Sequence, residues 1–169
     1  MKWFLLALGC LLAAGLLMAL IGAMIPRDHV ASRSATFRCP PGDLFAAAHD
    51  FASQPSWRRS LVAVDVLPSE DGRARFRERT ARRSITYRVL DDVSPARLVF
   101  EIADTNLPFG GTWTLDFAPT RSGGTVVTIT ERGIIKPAVF RFLSRFVIGY
   151  TTSIDQYLLD LGRHLGQDG

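Results

Sequence analysis

Cysteine is nearly missing. Cys10 and Cys39 are the only two in 169 residues, so no disulfide framework is available. Cys10 lies inside a long apolar run and Cys39 outside it, which would place one in lipid and the other in water. Lysine is as scarce: Lys2 and Lys136 stand alone, and the other 18 cations are arginine. Against 16 acids the net charge is +4, too small for a dedicated nucleic-acid binder, and no nucleic-acid partner is expected. Catalytic signatures are missing too. There is no Gly-x-Ser-x-Gly elbow, no phosphate-binding glycine loop and no dinucleotide fingerprint, so no cofactor is expected. His29, His49 and His164 stand far apart with no Cys or Glu at ligand spacing, which argues against a metal site. Repeats and low-complexity stretches are absent, and 47% hydrophobic with 21% charged residues excludes a disordered chain.

Charge of either sign vanishes between Lys2 and Arg27, and Trp3 to Ile25 is a run of 23 uncharged residues. As a helix this run is about 34 Å long, enough for a hydrocarbon core of about 30 Å. A secretory signal peptide is the competing reading, but it has a shorter apolar region, about 7–15 residues, and a small-x-small cleavage site. Ile21-Gly22-Ala23 and Ala23-Met24-Ile25 both lack that pattern, and Pro26 follows. Residues 1–25 are therefore expected to stay attached as a single-pass transmembrane anchor, with 26–169 as one soluble domain. Arg27, Arg33 and Arg38 beyond the run lean toward a cytoplasmic domain. A short tail with one lysine suits the opposite arrangement, and the side stays open.

Beyond the anchor the period decides. His29 to Arg38 alternates as a strand. Pro40-Pro41 stops it, and Leu44, Ala47, Ala48 and Phe51 then recur at helical spacing until Ser53-Gln54-Pro55-Ser56 breaks the helix. From 60 to 133 the period is two. Strands are expected around Leu61–Val66, Arg73–Thr80, Ile85–Val89, Leu98–Ile102, Trp113–Phe117 and Val127–Glu131, with turns at Glu70-Asp71-Gly72, Asp91–Ala96 and Ser122-Gly123-Gly124 and a loop at Asn106–Gly111. Short turns between successive strands mean an antiparallel sheet. Residues 138–165 return to helical spacing. Val139, Leu143, Phe146, Val147, Tyr150, Ile154, Tyr157, Leu158, Leu161 and Leu165 share one stripe, which predicts a single long helix between Pro137 and Gly166.

The order of elements is α+β: a strand, a short helix, about six more antiparallel strands and a long terminal helix. Particular residues carry a family resemblance: Pro40-Pro41 before a helix holding Phe45 and closing on Asp50-Phe51, then Pro55-Ser56-Trp57. Gly111-Thr112-Trp113, the turn Gly123-Gly124 before Thr128-Ile129-Thr130-Glu131, and the terminal helix agree with it. From about 28 to 166 the chain resembles the START-like (SRPBCC) superfamily, in particular its polyketide cyclase/dehydrase branch. That resemblance implies a helix-grip fold, a curved antiparallel sheet wrapped around a long C-terminal helix, and a hydrophobic small molecule or lipid bound between them.

Alternation and the terminal stripe together assign Trp57, Phe76, Tyr87, Phe100, Trp113, Phe146 and Tyr150 to this interior, where they line a cavity or fill a core. Leu115 and Ile129 share the face. Glu78 and Glu131 follow Phe76 and Ile129 in phase, so both carboxylates point inward. Buried carboxylates need partners or raised pKa values. These two would orient a ligand hydroxyl or serve as general acid or base, unless they reach water or pair with nearby arginines. Six arginines, Arg73, Arg75, Arg77, Arg79, Arg82 and Arg83, fall within eleven residues. The first four share the outer face of one strand, as a solvated surface or a site for lipid headgroups. Two functions survive: a membrane-tethered binding module for a lipid or other hydrophobic small molecule, and a cyclase/dehydrase-like enzyme using the inward acids.

Overall fold

The structure is a computed structural model that describes residues 2–167. Met1, Asp168 and Gly169, at the ends of the two expected segments, lie outside the described residues. Helix α1, Lys2–Met24, carries the apolar run. Its 23 residues make it long and apolar enough to cross a membrane, a property that a secretory signal sequence shares.

Strand β1 (Asp28–Phe37) follows at once, then helix α2 (Pro41–His49) and a single 3-10 turn at Gln54–Ser56. Pro40 and Pro41 explain the boundary, because proline cannot donate in a ladder but suits the first turn of a helix. Strands β2 (Ala63–Glu70), β3 (Arg73–Arg79), β4 (Ser84–Val93), β5 (Arg97–Ile102), β6 (Phe109–Pro119) and β7 (Thr125–Ile135) complete the sheet. Asp71 and Gly72 both have positive φ, 52° and 74°, the two-residue turn whose twist suits a hairpin between β2 and β3. Several strands run further than the alternation suggests, β2 to Glu70 and β7 to Ile135 among them. β4 continues to Val93 across a bulge between Val89 and Asp91, and β6 takes in Phe109-Gly110-Gly111, placed by the sequence in a loop.

The seven strands form one antiparallel sheet in the order β1-β7-β6-β5-β4-β3-β2. Only β1 is out of sequence order, and it closes against β7. Helix α4, Thr152–His164, lies over the inner face. It buries Ile154, Tyr157, Leu158 and Leu161, an i, i+3, i+4, i+7 set. Leu44 and Ala48 of α2 meet the same core, which the sheet supplies with Phe76, Leu98, Leu115, Val127 and Ile129.

The single long terminal helix is corrected. Helix α3 covers only Ala138–Leu143, a π turn spans Ser144–Ile148, and Gly149 separates this segment from α4 with φ 86° and ψ 143°. That conformation suits glycine, which has no Cβ. Thr152 Oγ1 then donates to the Ile148 carbonyl at 2.5 Å, satisfying one of the acceptors freed by the break. The apolar stripe holds for α4 and Tyr150 and fails at Val139, Phe146 and Val147.

Candidate functional site

Sheet register gathers the inward side chains. Phe76 on β3 faces Tyr87 on β4; Phe100, Trp113 and Glu131 lie opposite one another across β5, β6 and β7, and Ala31 of β1 ends that row. The rings touch in a continuous run. Phe51 stacks on Phe76 at 3.9 Å, Phe76 on Tyr87 at 5.1 Å, and Phe100 meets Trp113 at 6.2 Å. Tyr157 of α4 bridges Trp113 at 6.0 Å and Trp57 at 5.5 Å. Trp57 is held at the start of this run by the 3-10 turn before it. The space between sheet and helix is thus taken by packed rings. Two clefts, of about 400 and 320 Å³, lie outside it, one lined by Arg59, Gln156 and Arg163 and the other by Arg33, Asp155 and Leu159.

Phe146 does not join this set. It is 61% exposed, because the π turn and the break at Gly149 turn it away from the sheet. Its place at that end of the interior is taken by Tyr150, whose ring stacks on His29 at 4.3 Å.

The two inward carboxylates have different surroundings. Glu78 is buried and forms an ion pair with Arg58, whose Nη2 donates to Oε2 at 3.4 Å while Nη1 donates to Oε1. Nη1 also donates to Gln54 Oε1 at 2.6 Å, and the guanidinium lies 5.0 Å from the Tyr157 ring centroid. Burial pushes the phenols of Tyr87 and Tyr157 well above their usual range; the nearby Glu78 adds to this and Arg58 opposes it. Both hydroxyls therefore stay protonated at neutral pH.

Glu131 uses both oxygens. Oε1 accepts from His29 Nε2 at 3.3 Å and Oε2 accepts from the Trp113 indole N–H at 3.0 Å. Burial pushes its carboxyl above the usual range, and the charge and hydrogen bond of His29, with the Trp113 hydrogen bond, pull partly back. When the ring is neutral with Nε2–H donating, His29 Nδ1 is an acceptor, and it is buried with no hydrogen-bond partner. A group of this kind can take a proton or a hydrogen bond from a ligand hydroxyl, and Glu131 stabilises the imidazolium that results. Among the described residues no three His, Cys, Asp or Glu side chains gather as a metal site would need.

His29, Arg58 and Tyr157 were not among the residues expected here. For His29 a signal existed, since it is in phase with the buried Ala31 on β1. Tyr157 was visible as part of the helical stripe, where it looked like packing. Arg58 follows an irregular turn, and no periodicity could have aimed it at Glu78. On the outer face, the arginine stripe of β3 is largely engaged by neighbours: Arg75 pairs with Glu70 at 3.3 Å and Arg79 with Asp65 at 3.2 Å.

A family model described as polyketide cyclase/dehydrase and lipid transport matches residues 28–160, most of the chain and all of the sheet. The chain belongs to this family. Solved structures share the fold. The Zhui aromatase/cyclase from Streptomyces sp. R1128 is similar at 14% identity with a TM-score of 0.63, over 80% of this chain and 93% of that one. A START superfamily protein from Mycobacterium smegmatis is similar at 12% identity and 0.66, over 82% and 97%. Norcoclaurine synthase from Thalictrum flavum is similar at 7% identity and 0.64, over 82% and 86%. At such identities the likeness is one of fold. No curated protein matches the sequence.

Proposed function

We propose that the protein is a membrane-tethered binding module. Residues 1–25 anchor it and the 26–169 domain holds a lipid or other hydrophobic small molecule between the sheet and α4. The observation that carries this reading is the polar pair at one end of an aromatic interior. His29 and Glu131 lie among Trp113, Tyr150 and Phe100, and His29 Nδ1 is left without a partner. Apolar lining with a few convergent polar groups is the general form of a small-molecule site. Because packed rings occupy the interior, uptake requires them to move, and Tyr150 is placed for that, one residue beyond the break at Gly149. The full chain, extracted in mild detergent and examined by native mass spectrometry, is expected to carry a non-covalent adduct of lipid-like mass. A chain that emerges bare after gentle extraction overturns the reading.

The second reading is a cyclase/dehydrase-like enzyme, and the His29–Glu131 contact favours it. Arg58 already engages Glu78, so Glu131 is the acid left for proton transfer. Glu131→Gln separates the two. An enzyme loses turnover and keeps ligand affinity, whereas a binder changes affinity by about 1–3 kcal/mol or less.

A further inference from the structure

The segment after β7 has its apolar side chains on the wrong side for a soluble protein. Phe146, Val147 and Ile148 are 61%, 69% and 58% exposed, and Phe140 and Val139 are exposed beside them. Contiguous apolar surface of this kind marks a partner or a membrane. Within 138–148 the only charged residues are Arg141 and Arg145. Arg141 is buried, with Nε donating to the Gly22 carbonyl of α1 at 2.8 Å and Nη1 to the Lys136 carbonyl at 2.6 Å. Gly22 is fixed in turn, for a Cβ there would stand 2.0 Å from the Ala138 carbonyl oxygen. Backbone therefore meets backbone where α1 crosses α3, and α3 sits at the depth of Gly22.

That depth can be placed. Gly22 lies three residues before the end of the uncharged run at Ile25, about 4.5 Å along the helix axis. Amphipathic elements that lie in a membrane interface bury their apolar face by about 5–10 Å. The same end of the sheet carries cations at the level headgroups would occupy. Arg27 pairs its carbonyl with the Ile135 N–H, Lys136 Nζ donates to the Thr105 and Leu107 carbonyls, and Arg83 lies 4.8 Å over the Phe109 ring.

We propose that Val139–Ile148 is a second membrane-seated element, inserted beside the end of α1, that holds the His29–Glu131 end of the interior against the bilayer surface. The occupant of this apolar face is lipid. The inference rests on α1 spanning a bilayer, and it deepens the binding reading by making the bilayer the source of the ligand. Tyr150, two residues beyond Ile148, stacks on His29, so the inserted segment runs directly into the site.

The test uses the full chain with Cys10→Ala and Cys39→Ala, reconstituted in phosphatidylcholine vesicles containing acyl-chain nitroxide lipid. A bimane label is placed singly at Phe146→Cys, at Leu12→Cys in α1, or at Ser122→Cys in the exposed hairpin at the opposite end of the sheet. Severalfold stronger quenching at 146 than at 122, with strong quenching at 12, is the expected result. Quenching at 12 without quenching at 146 overturns this proposal and leaves the tether standing. No quenching at either position overturns the tether as well. A 146–146 disulfide between chains, with no quenching there, would put a second copy on the patch and also overturn the proposal.

Discussion

Arg58 and Glu78 form an ion pair inside the grip, one residue from an irregular turn and the other from β3, with Gln54 and the Tyr157 ring completing the surroundings of the guanidinium. Removing one member leaves a buried charge without its partner. Arg58→Met is expected to cost about 3–5 kcal/mol, and Arg58→Met with Glu78→Gln to recover much of that. Urea unfolding of the detergent-solubilised full chain reads both. A double variant no more stable than the single one would mean that Arg58 contributes through packing on Tyr157 and not through charge.

Glu131 gives stability a particular pH dependence. Its carboxyl in the folded chain titrates above the ordinary value of 4.5, mainly through burial. The sign follows: a raised carboxyl contributes stability that is fully present below 4.5 and is lost as pH rises through the folded value. Glu131→Gln abolishes the titration, so the variant should gain on the parent as pH climbs from 4 toward neutrality. Melting temperatures of both proteins across that range check it. A constant difference would show that the His29 and Trp113 hydrogen bonds fully offset the burial.

Much of the sheet and α4 was legible because a period of two or of 3.6 reports one buried face. Phe76 and Glu78 illustrate it, both buried on β3 while Arg77 between them is exposed. The terminal segment departs from its stripe, because the same test finds apolar residues without saying what they face. Phe146 and Ile154 satisfy one stripe, yet Ile154 is buried by the sheet and Phe146 is exposed. Pairings between distant elements, such as His29 with Glu131 and Arg58 with Glu78, leave no local pattern. The first becomes visible only once β1 is laid against β7.

Gly149 offers a test in which the sign alone decides. In an unbroken helix from 138 to 165, alanine there would stabilise by about 1 kcal/mol. At φ 86° and ψ 143° a Cβ is strained, and Gly149→Ala is expected to destabilise by about 1–3 kcal/mol. The added Cβ meets Thr152 Oγ1 at 3.4 Å, ordinary contact, so the loss would report backbone strain and not a clash. Melting temperature of the full chain distinguishes the outcomes, and a rise would restore the straight helix.

Two phenylalanines that the sequence places on the same interior should behave as opposites. Phe76 is 1% exposed, sandwiched between Phe51 and Tyr87 and met edge-on by Phe100. Truncating it removes ring contacts and leaves a cavity that neighbouring strands cannot close, so Phe76→Ala should cost about 3–5 kcal/mol. Phe146 touches Phe142 at 5.0 Å and otherwise faces outward. Phe146→Ala should stay within about 0.5 kcal/mol in detergent, the range for surface substitutions. Urea unfolding of the two variants side by side gives the comparison. Similar losses at both positions would return Phe146 to the sheet and remove the exposed face on which membrane seating depends.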